Sequence, residues 1–570
     1  MRMNDHNYVL VSALALLLGC HGGKDSAGQP SDGNSDGKSD GESDAGTDGG
    51  IDDEIPPALR QISVASLSEL DDAIDDAMPG DHITLQDGIY ETSGPIMVPS
   101  KGTAEAPIVI RSQTIGGAEI QGDSGFRLAK ASYVIVQGFK LTHAIDDGKG
   151  MALDGCDHVR ITRNVFKLND TTSNSHWLYV DGSGSGFNRF DHNRFENKPS
   201  ANNFLVIYGR ADDGGYAMSQ QDRIDHNYFY KQVYPDEGGE ALRIGDSNRG
   251  PLSAHAVVES NLFEECTGDP EVISNKSSEN LFRGNTFRNN AGSLVLRHGN
   301  GSTVVGNFFV ENAGGIRMYG DHHRIVNNYF EADTGTGAQS TIMLSGGCTE
   351  DDTGSGSDCN RPDGVIIAFN TLVGNHPTHL VIGSRTLPPK NCVIANNIIQ
   401  GEIGTLVKFA LTPQNLSSVG NILWGAGSDG DAPAAGFERI DPKLVKDADG
   451  LYRLAADSPA IDSAEIVMGL GDIMTDIDGQ PRIAPFDKGA DEHAPGGAII
   501  TARSCRRTLG RWRRSQTQRR SRCRRQLRSS ARSPGLTLLF RGVARSEDHA
   551  DTRLQIEQQE HHRLFVIGEP

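Results

Sequence analysis

One short motif recurs ten times through the middle of this chain: Asn, any residue, then an aromatic or aliphatic side chain. It stands at Asn164-Val-Phe166, Asn193-Arg-Phe195, Asn227-Tyr-Phe229, Asn261-Leu-Phe263, Asn285-Thr-Phe287, Asn307-Phe-Phe309 and Asn328-Tyr-Phe330, and continues at Asn370-Thr-Leu372, Asn397-Ile-Ile399 and Asn421-Ile-Leu423. From Asn261 the steps are 24, 22, 21, 42, 27 and 24 residues, and 42 is two steps of 21. The earlier steps of 29, 34 and 34 imply loop insertions. A period near 22 marks a solenoid. Leucine-rich repeats share that length, but they need Leu at fixed positions, and those are missing. Here each unit carries a short apolar alternation such as His158-Val-Arg-Ile-Thr162, then Asn, then the large side chain. That pattern suits short parallel strands repeated coil on coil. The expected fold is all-β, a right-handed, single-stranded parallel β-helix. The Asn residues are expected to form a structural ladder at one turn, bonding each other and the backbone.

Composition agrees with that fold: 68 Gly and only 6% aromatic residues suit many tight turns and no large aromatic core. The open end of a solenoid exposes strand edges and needs a cover. Ser66-Leu-Ser-Glu69 reads as a capping box. It opens a helix with Leu67, Leu70, Ala73, Ile74 and Ala77 on one face, which Pro79-Gly80-Asp81 stops. Strand-like His82-Ile-Thr-Leu85 and Ile108-Val-Ile110 follow.

The termini are different text. Tyr8 to Leu18 is apolar but too short to span a membrane, and it ends in Leu17-Leu18-Gly19-Cys20. Residues 1–20 are therefore expected to be a lipoprotein signal, with Cys20 as the lipidated residue; the alternative is an ordinary secretory signal. Residues 21–54, almost all Gly, Ser, Asp and Lys, read as a disordered acidic linker. The β-helix domain is expected over 55–495. From Thr501 onward there are 17 Arg, no Lys and 6 acids, a net of +11 against −21 for the whole chain. The first 500 residues thus carry −32, since −21 minus 11 is −32. The 496–570 tail looks like out-of-frame translation of GC-rich DNA, and a polyanion-binding tail is its functional alternative. No nucleic-acid partner is expected for the acidic body. Cys348 and Cys359 bracket a polar loop and could form a disulfide in an oxidising compartment. No Cys/His spacing suits zinc.

Reactive groups concentrate in Asp269-Pro-Glu271-Val-Ile-Ser-Asn-Lys276-Ser and, one coil on, Leu296-Arg297-His298-Gly299. Asp269 and Glu271, two apart, would point to one face of a strand. Two such carboxylates suit a hard cation, Ca²⁺. Lys276 and Arg297 are 21 residues apart, one local period, and should lie side by side on adjacent coils. Arg317 follows 20 further on and Arg243 precedes them, giving a basic stripe on an acidic protein. The bland reading is a solvated face of ordinary ion pairs.

Together these motifs resemble the chondroitinase-B-like polysaccharide lyases, family six, which include alginate lyases. The resemblance runs from about Ile62 to Glu492. It includes Asp81-His-Ile-Thr-Leu-Gln-Asp-Gly-Ile-Tyr90, Lys101-Gly-Thr-Ala-Glu-Ala-Pro-Ile108, Glu271-Val-Ile-Ser-Asn-Lys276-Ser and Leu296-Arg-His-Gly299. It implies β-elimination on a uronic-acid polymer, with Lys276 as general base and Arg297 as general acid. It also implies a Ca²⁺ cofactor held by Asp269 and Glu271 and by an Asn, whose place is taken here by Glu237 of Glu237-Gly-Gly-Glu240. Arg297 would lower the pKa of Lys276, and His298, Arg317 and Arg243 would contact substrate carboxylates. The implied substrate is an anionic uronate polysaccharide, alginate foremost, met outside the cytoplasm by an enzyme tethered to the outer membrane. Three alternatives stand beside it: a dermatan sulfate lyase, a β-helix glycoside hydrolase, which would need a carboxylate pair at hydrolytic separation, and a non-catalytic adhesin.

Overall fold

The computed structural model describes residues 55–493, except 146, 171–173, 236–237, 333–339, 352–358, 468 and 471–474. Cys20, the 21–54 linker, Glu237 and the Arg-rich tail lie outside the described residues.

The chain winds into a right-handed parallel β-helix. Leu281–Arg283, Thr286–Arg288 and Ser293–His298 each enter a different sheet. Thr303–Val305 then returns to pair, in parallel, with Leu281–Arg283. Repeating this circuit builds three long sheets of 14, 13 and 14 strands, nearly one strand per sheet per coil.

The repeated motif fixes the circuit. Each Asn amide oxygen accepts the backbone N–H of the Asn one coil before: Asn261 N–H donates to Asn285 at 3.1 Å, Asn285 to Asn307 at 2.9 Å, and Asn307 to Asn328 at 3.0 Å. The side-chain amide of each donates to a main-chain carbonyl, as Asn285 does to Val258 at 2.8 Å. The ladder is unbroken from Asn164 to Asn421. The 42-residue step from Asn328 to Asn370 is one coil carrying an insertion, a correction to two steps of 21, since Tyr329–Ala332 pairs directly with Thr371–Gly374. It satisfies backbone groups that a buried bend would otherwise orphan. Two residues later the chain points into the core. There Phe166, Phe195, Phe229, Phe263, Phe287, Phe309 and Phe330 form a column with centroids 4.5–5.0 Å apart. That spacing is the distance between neighbouring strands, so one ring per coil fills the column.

The expected helix is Leu67–Asp75, burying Leu70, Ala73 and Ile74. Ser66 caps it by accepting from Glu69 N–H at 3.2 Å. Glu69 reaches back to Ala65 N–H, at 2.7 Å, one residue earlier than a standard capping box. Asp81–Leu85 and Ile108–Ser112 are strands, as expected. Cys348 and Cys359 form a disulfide. Beyond the last coil the chain runs back along the outside, where Leu470, Ile477 and Ala490 cover Phe369, Tyr329 and Val373.

Candidate active site

Four neighbouring strands of the 13-stranded sheet carry the site: Leu242–Gly245, Glu271–Lys276, Ser293–His298 and Ile316–Met318. Leu242, Ile273, Leu294 and Ile316 pair in register and are buried in the core. Alternation then sets the outward rows. Arg243, Ser274, Val295 and Arg317 form one of them. Gly245, Lys276 and His298 lie in the next.

The register corrects the expected pairing. Glu271 pairs with Ser293 but Ile273 with Leu294, so Val272 has no opposite residue. Asn275 pairs with Leu296 but Lys276 with His298, so Arg297 has none. Two bulges therefore flank a three-residue stretch, and Lys276 stands beside His298 with Arg297 displaced. His298 is 1% exposed. That burial sets His298 in the floor of the site. Asn275, pointing inward, is tied to Ser277 O and Asn280, both at 2.8 Å, and steadies the end of the lysine strand.

The basic stripe is interleaved with acids. Arg317, expected to contact substrate, is ion-paired with Glu271. Arg243 is held by Glu240 at 2.5 Å. Burial opposes the charge on Arg243, but Glu240 and Tyr208 outweigh it and raise its pKa. Glu240 also accepts from the Asn203 side chain, at 3.2 Å. Asp269 lies in the bend before the strand, not on it, so strand alternation does not align it with Glu271. Its carboxylate instead accepts the N–H groups of Glu271 at 2.8 Å and Gly238 at 2.9 Å. Burial, then the charges of Glu240 and Glu271, push the Asp269 carboxyl up to about 6. That is the mark of negative charge short of a counter-charge, and hard oxygen donors in that state fit a divalent cation. The three carboxylates are not tightly gathered. Among the described residues, the one trio with donor atoms within 4.8 Å is Asp476, Asp478 and Asp491, where Arg453 already sits, 2.8 Å from Asp478.

Lys276 is half-buried, and its ammonium makes no hydrogen bond or ion pair to a described residue. Its pKa is lowered, first by burial and then by Arg243, against Glu240 and Glu271. Arg297, the expected cause, ranks behind all of these. The Arg297 guanidinium lies over the Tyr319 ring, 5.3 Å from its centroid. Tyr319 and Arg385 were not singled out from sequence. Tyr319 lies one coil beyond His298 and could have been found by counting 21 residues. Arg385 comes from a loop with no periodic signal. Glu240 was in view only as part of a glycine motif, although it stands next to Glu271 one coil back.

The family model for chondroitinase B matches residues 64–440. Among curated proteins none matches. Among solved structures, the PL6-family alginate lyase AlyGC is 28% identical, covers 76% of this chain and 60% of its own, and has a TM-score of 0.62. The chain thus spans less than two thirds of AlyGC. A mannuronic-acid-specific family 6 lyase from human gut microbiota is 23% identical over 67% of this chain and 91% of its own, with a TM-score of 0.57. The alginate lyase AlyF-OU02, in complex with G6, is 18% identical over 72% and 94%, with a TM-score of 0.58. The last two share the fold.

Proposed function

Since the chain belongs to the chondroitinase B family, polysaccharide lyase family 6, we propose that it cleaves alginate by β-elimination, with Lys276 as base and Arg297 as acid. The observation that carries this reading is an amine with lowered pKa and no ion pair to a described residue, standing beside a guanidinium and a cluster of carboxylates. A lysine base must be neutral, against a reference pKa of about 10.4. Burial and Arg243 move Lys276 in that direction.

In the proposed step the Lys276 amine takes the C5 proton of a uronate. The electrons of that C–H bond form the C4–C5 double bond as the C4–O bond breaks. Arg297, or a water it holds, protonates the departing oxygen. Asp269 and Glu271, with Glu237 as third candidate by resemblance, would hold Ca²⁺, which when bound offsets the charge of the uronate carboxylate and so acidifies C5–H. Arg317 and Arg243 keep Glu271 and Glu240 in place beside the base. Alginate is favoured over dermatan sulfate because AlyGC, 28% identical, is an alginate lyase.

The test supplies the purified protein with alginate or dermatan sulfate, with and without a chelator, and follows the ultraviolet absorbance of unsaturated uronate. Alginate turnover that the chelator removes and Ca²⁺ restores supports the reading. Turnover of dermatan sulfate alone reassigns the substrate, and silence on both sinks it.

We also place the protein outside the cytoplasm, anchored to the outer membrane through Cys20. Leu17-Leu18-Gly19-Cys20 and the Cys348–Cys359 disulfide support that placement. Replacing Cys20 by Ser should move the protein from the detergent phase to the aqueous phase on phase separation; unchanged partition refutes the anchor.

A further inference from the structure

Tyr319 follows the strand Ile316–Met318 and points to the site side of the sheet, because Met318 before it faces the core. It is nonetheless 2% exposed. Two of the side chains over it are cations. Arg297 lies 5.3 Å from its ring centroid and Arg385 lies 5.9 Å from it. Arg385 also donates to the phenol oxygen at 3.3 Å. The phenol pKa is lowered: burial alone would raise it, but the Arg385 hydrogen bond and the charge of Arg317 prevail.

Arg385 is not delivered by the repeat. Its loop is tied back by a reciprocal pair of backbone bonds between Gly347 and Leu387, both 2.8 Å. Thr386 adds a side-chain bond to Gly347 O at 3.2 Å. Gly347 is followed at once by Cys348, which is disulfide-bonded to Cys359. Arg361, two residues past Cys359, binds Pro388 O at 2.6 Å. Residues on either side of the disulfide thus grip the chain just after Arg385, at Thr386, Leu387 and Pro388.

We propose that Tyr319 is the positioning residue for Arg297: its ring face fixes the guanidinium beside Lys276, and Arg385, braced by the Cys348–Cys359 hairpin, fixes the ring. This rests on the reading of Arg297 as the acid. A guanidinium on a long side chain has many rotamers, and Arg297 sits at a bulge in the strand register. An aromatic face within about 6 Å of the guanidinium restricts them. The ring holds the group by its face and takes none of its protons. Misplacement of a reacting group by about 1 Å can cost on the order of a hundredfold in rate.

The experiment measures kcat and KM on alginate for Tyr319→Leu, Tyr319→Phe and Tyr319→Trp, beside Arg297→Ala, with melting temperatures for each. Tyr319→Leu should lower kcat by about thirtyfold while KM changes less than about threefold. Tyr319→Phe and Tyr319→Trp, which keep a ring face, should recover most of that loss. Arg297→Ala should lie below all three, and adding Tyr319→Leu to it should cost nothing more. A fully active Tyr319→Leu overturns the proposal, as does a Tyr319→Phe no better than Leu, or an additive double variant. If Tyr319→Leu fails to fold, the Phe and Trp variants decide, since ring-bearing variants with the full loss would also overturn it. A fully active Arg297→Ala would instead overturn the functional reading beneath it.

Discussion

Two columns run the length of this β-helix, and they follow opposite rules. The turn column repeats one residue, Asn, from Asn164 to Asn421, with its Phe column beside it. The site row changes at every coil: Tyr208, then Gly245, then Lys276, then His298 beside the displaced Arg297, then Tyr319. Like residues belong where bonds pass from coil to coil, because a translation maps each donor onto the next acceptor. Chemistry needs unlike groups side by side, so it must break that translation. Stability and activity are therefore expected to separate cleanly between the columns.

The largest expected effect is on the site row. Lys276→Ala should lower kcat on alginate by at least about a thousandfold, as loss of a general base does, with melting temperature within a few degrees of wild type. Persistent turnover, or unfolding, would dissolve the separation. The mirror experiment is Asn307→Ala in the ladder. It leaves the Asn285 N–H without its partner in a buried turn and takes the amide donor from the Phe282 carbonyl. The expected cost is about 3 kcal/mol in denaturant unfolding, with kcat retained in the folded fraction.

A subtler break lies in a second, shorter ladder. Asn188 N–H donates to Asp222 at 2.9 Å; the next coil has Ala256 at this place, and the coil after it Asn280, which accepts from Ala256 N–H at 2.9 Å. Asp222 is fully buried, and burial pushes its carboxyl up to about 6. The folded state therefore holds this proton more tightly than the unfolded chain, where the pKa is about 3.9. Stability from this group is full below about pH 4, falls as pH rises toward 6, and stays low above it. Asp222→Asn should raise stability by about 2 kcal/mol at pH 7.5 and by little at pH 4; an equal gain at both would refute the titration. The smallest effect is expected for Phe287→Leu, which interrupts ring contacts on both sides. About 1 kcal/mol should be lost, with kcat unchanged.

The fold was legible because periodicity is a property of the sequence itself. Asn-x-Phe at steps of 21 to 24 residues states both the coil length and the inward face. The site was legible only in outline. A spacing of 21 placed Lys276 and Arg297 on neighbouring coils, but the bulges at Val272 and Arg297 leave no mark in composition. Arg243 finds Glu240 only three residues earlier, whereas the partner of Arg317, Glu271, is brought close from two coils back. Arg385 comes from an insertion, whose path no repeat dictates.

The paired bulges have a consequence best put in the language of crystals. Val272 is an extra residue in one strand and Arg297 an extra residue in the next, so the offset between coils runs 22, then 21, then 22. These are two dislocations of opposite sign. Their displacements cancel, since Lys276 meets His298 at the same offset of 22 as Glu271 meets Ser293. A lattice with a bound dislocation pair is distorted only between the two. Among the described strand pairs of this sheet, the protein thereby confines its shifts of register to the few residues that need them. Substitutions within that patch can retune chemistry without disturbing coil registry on either side.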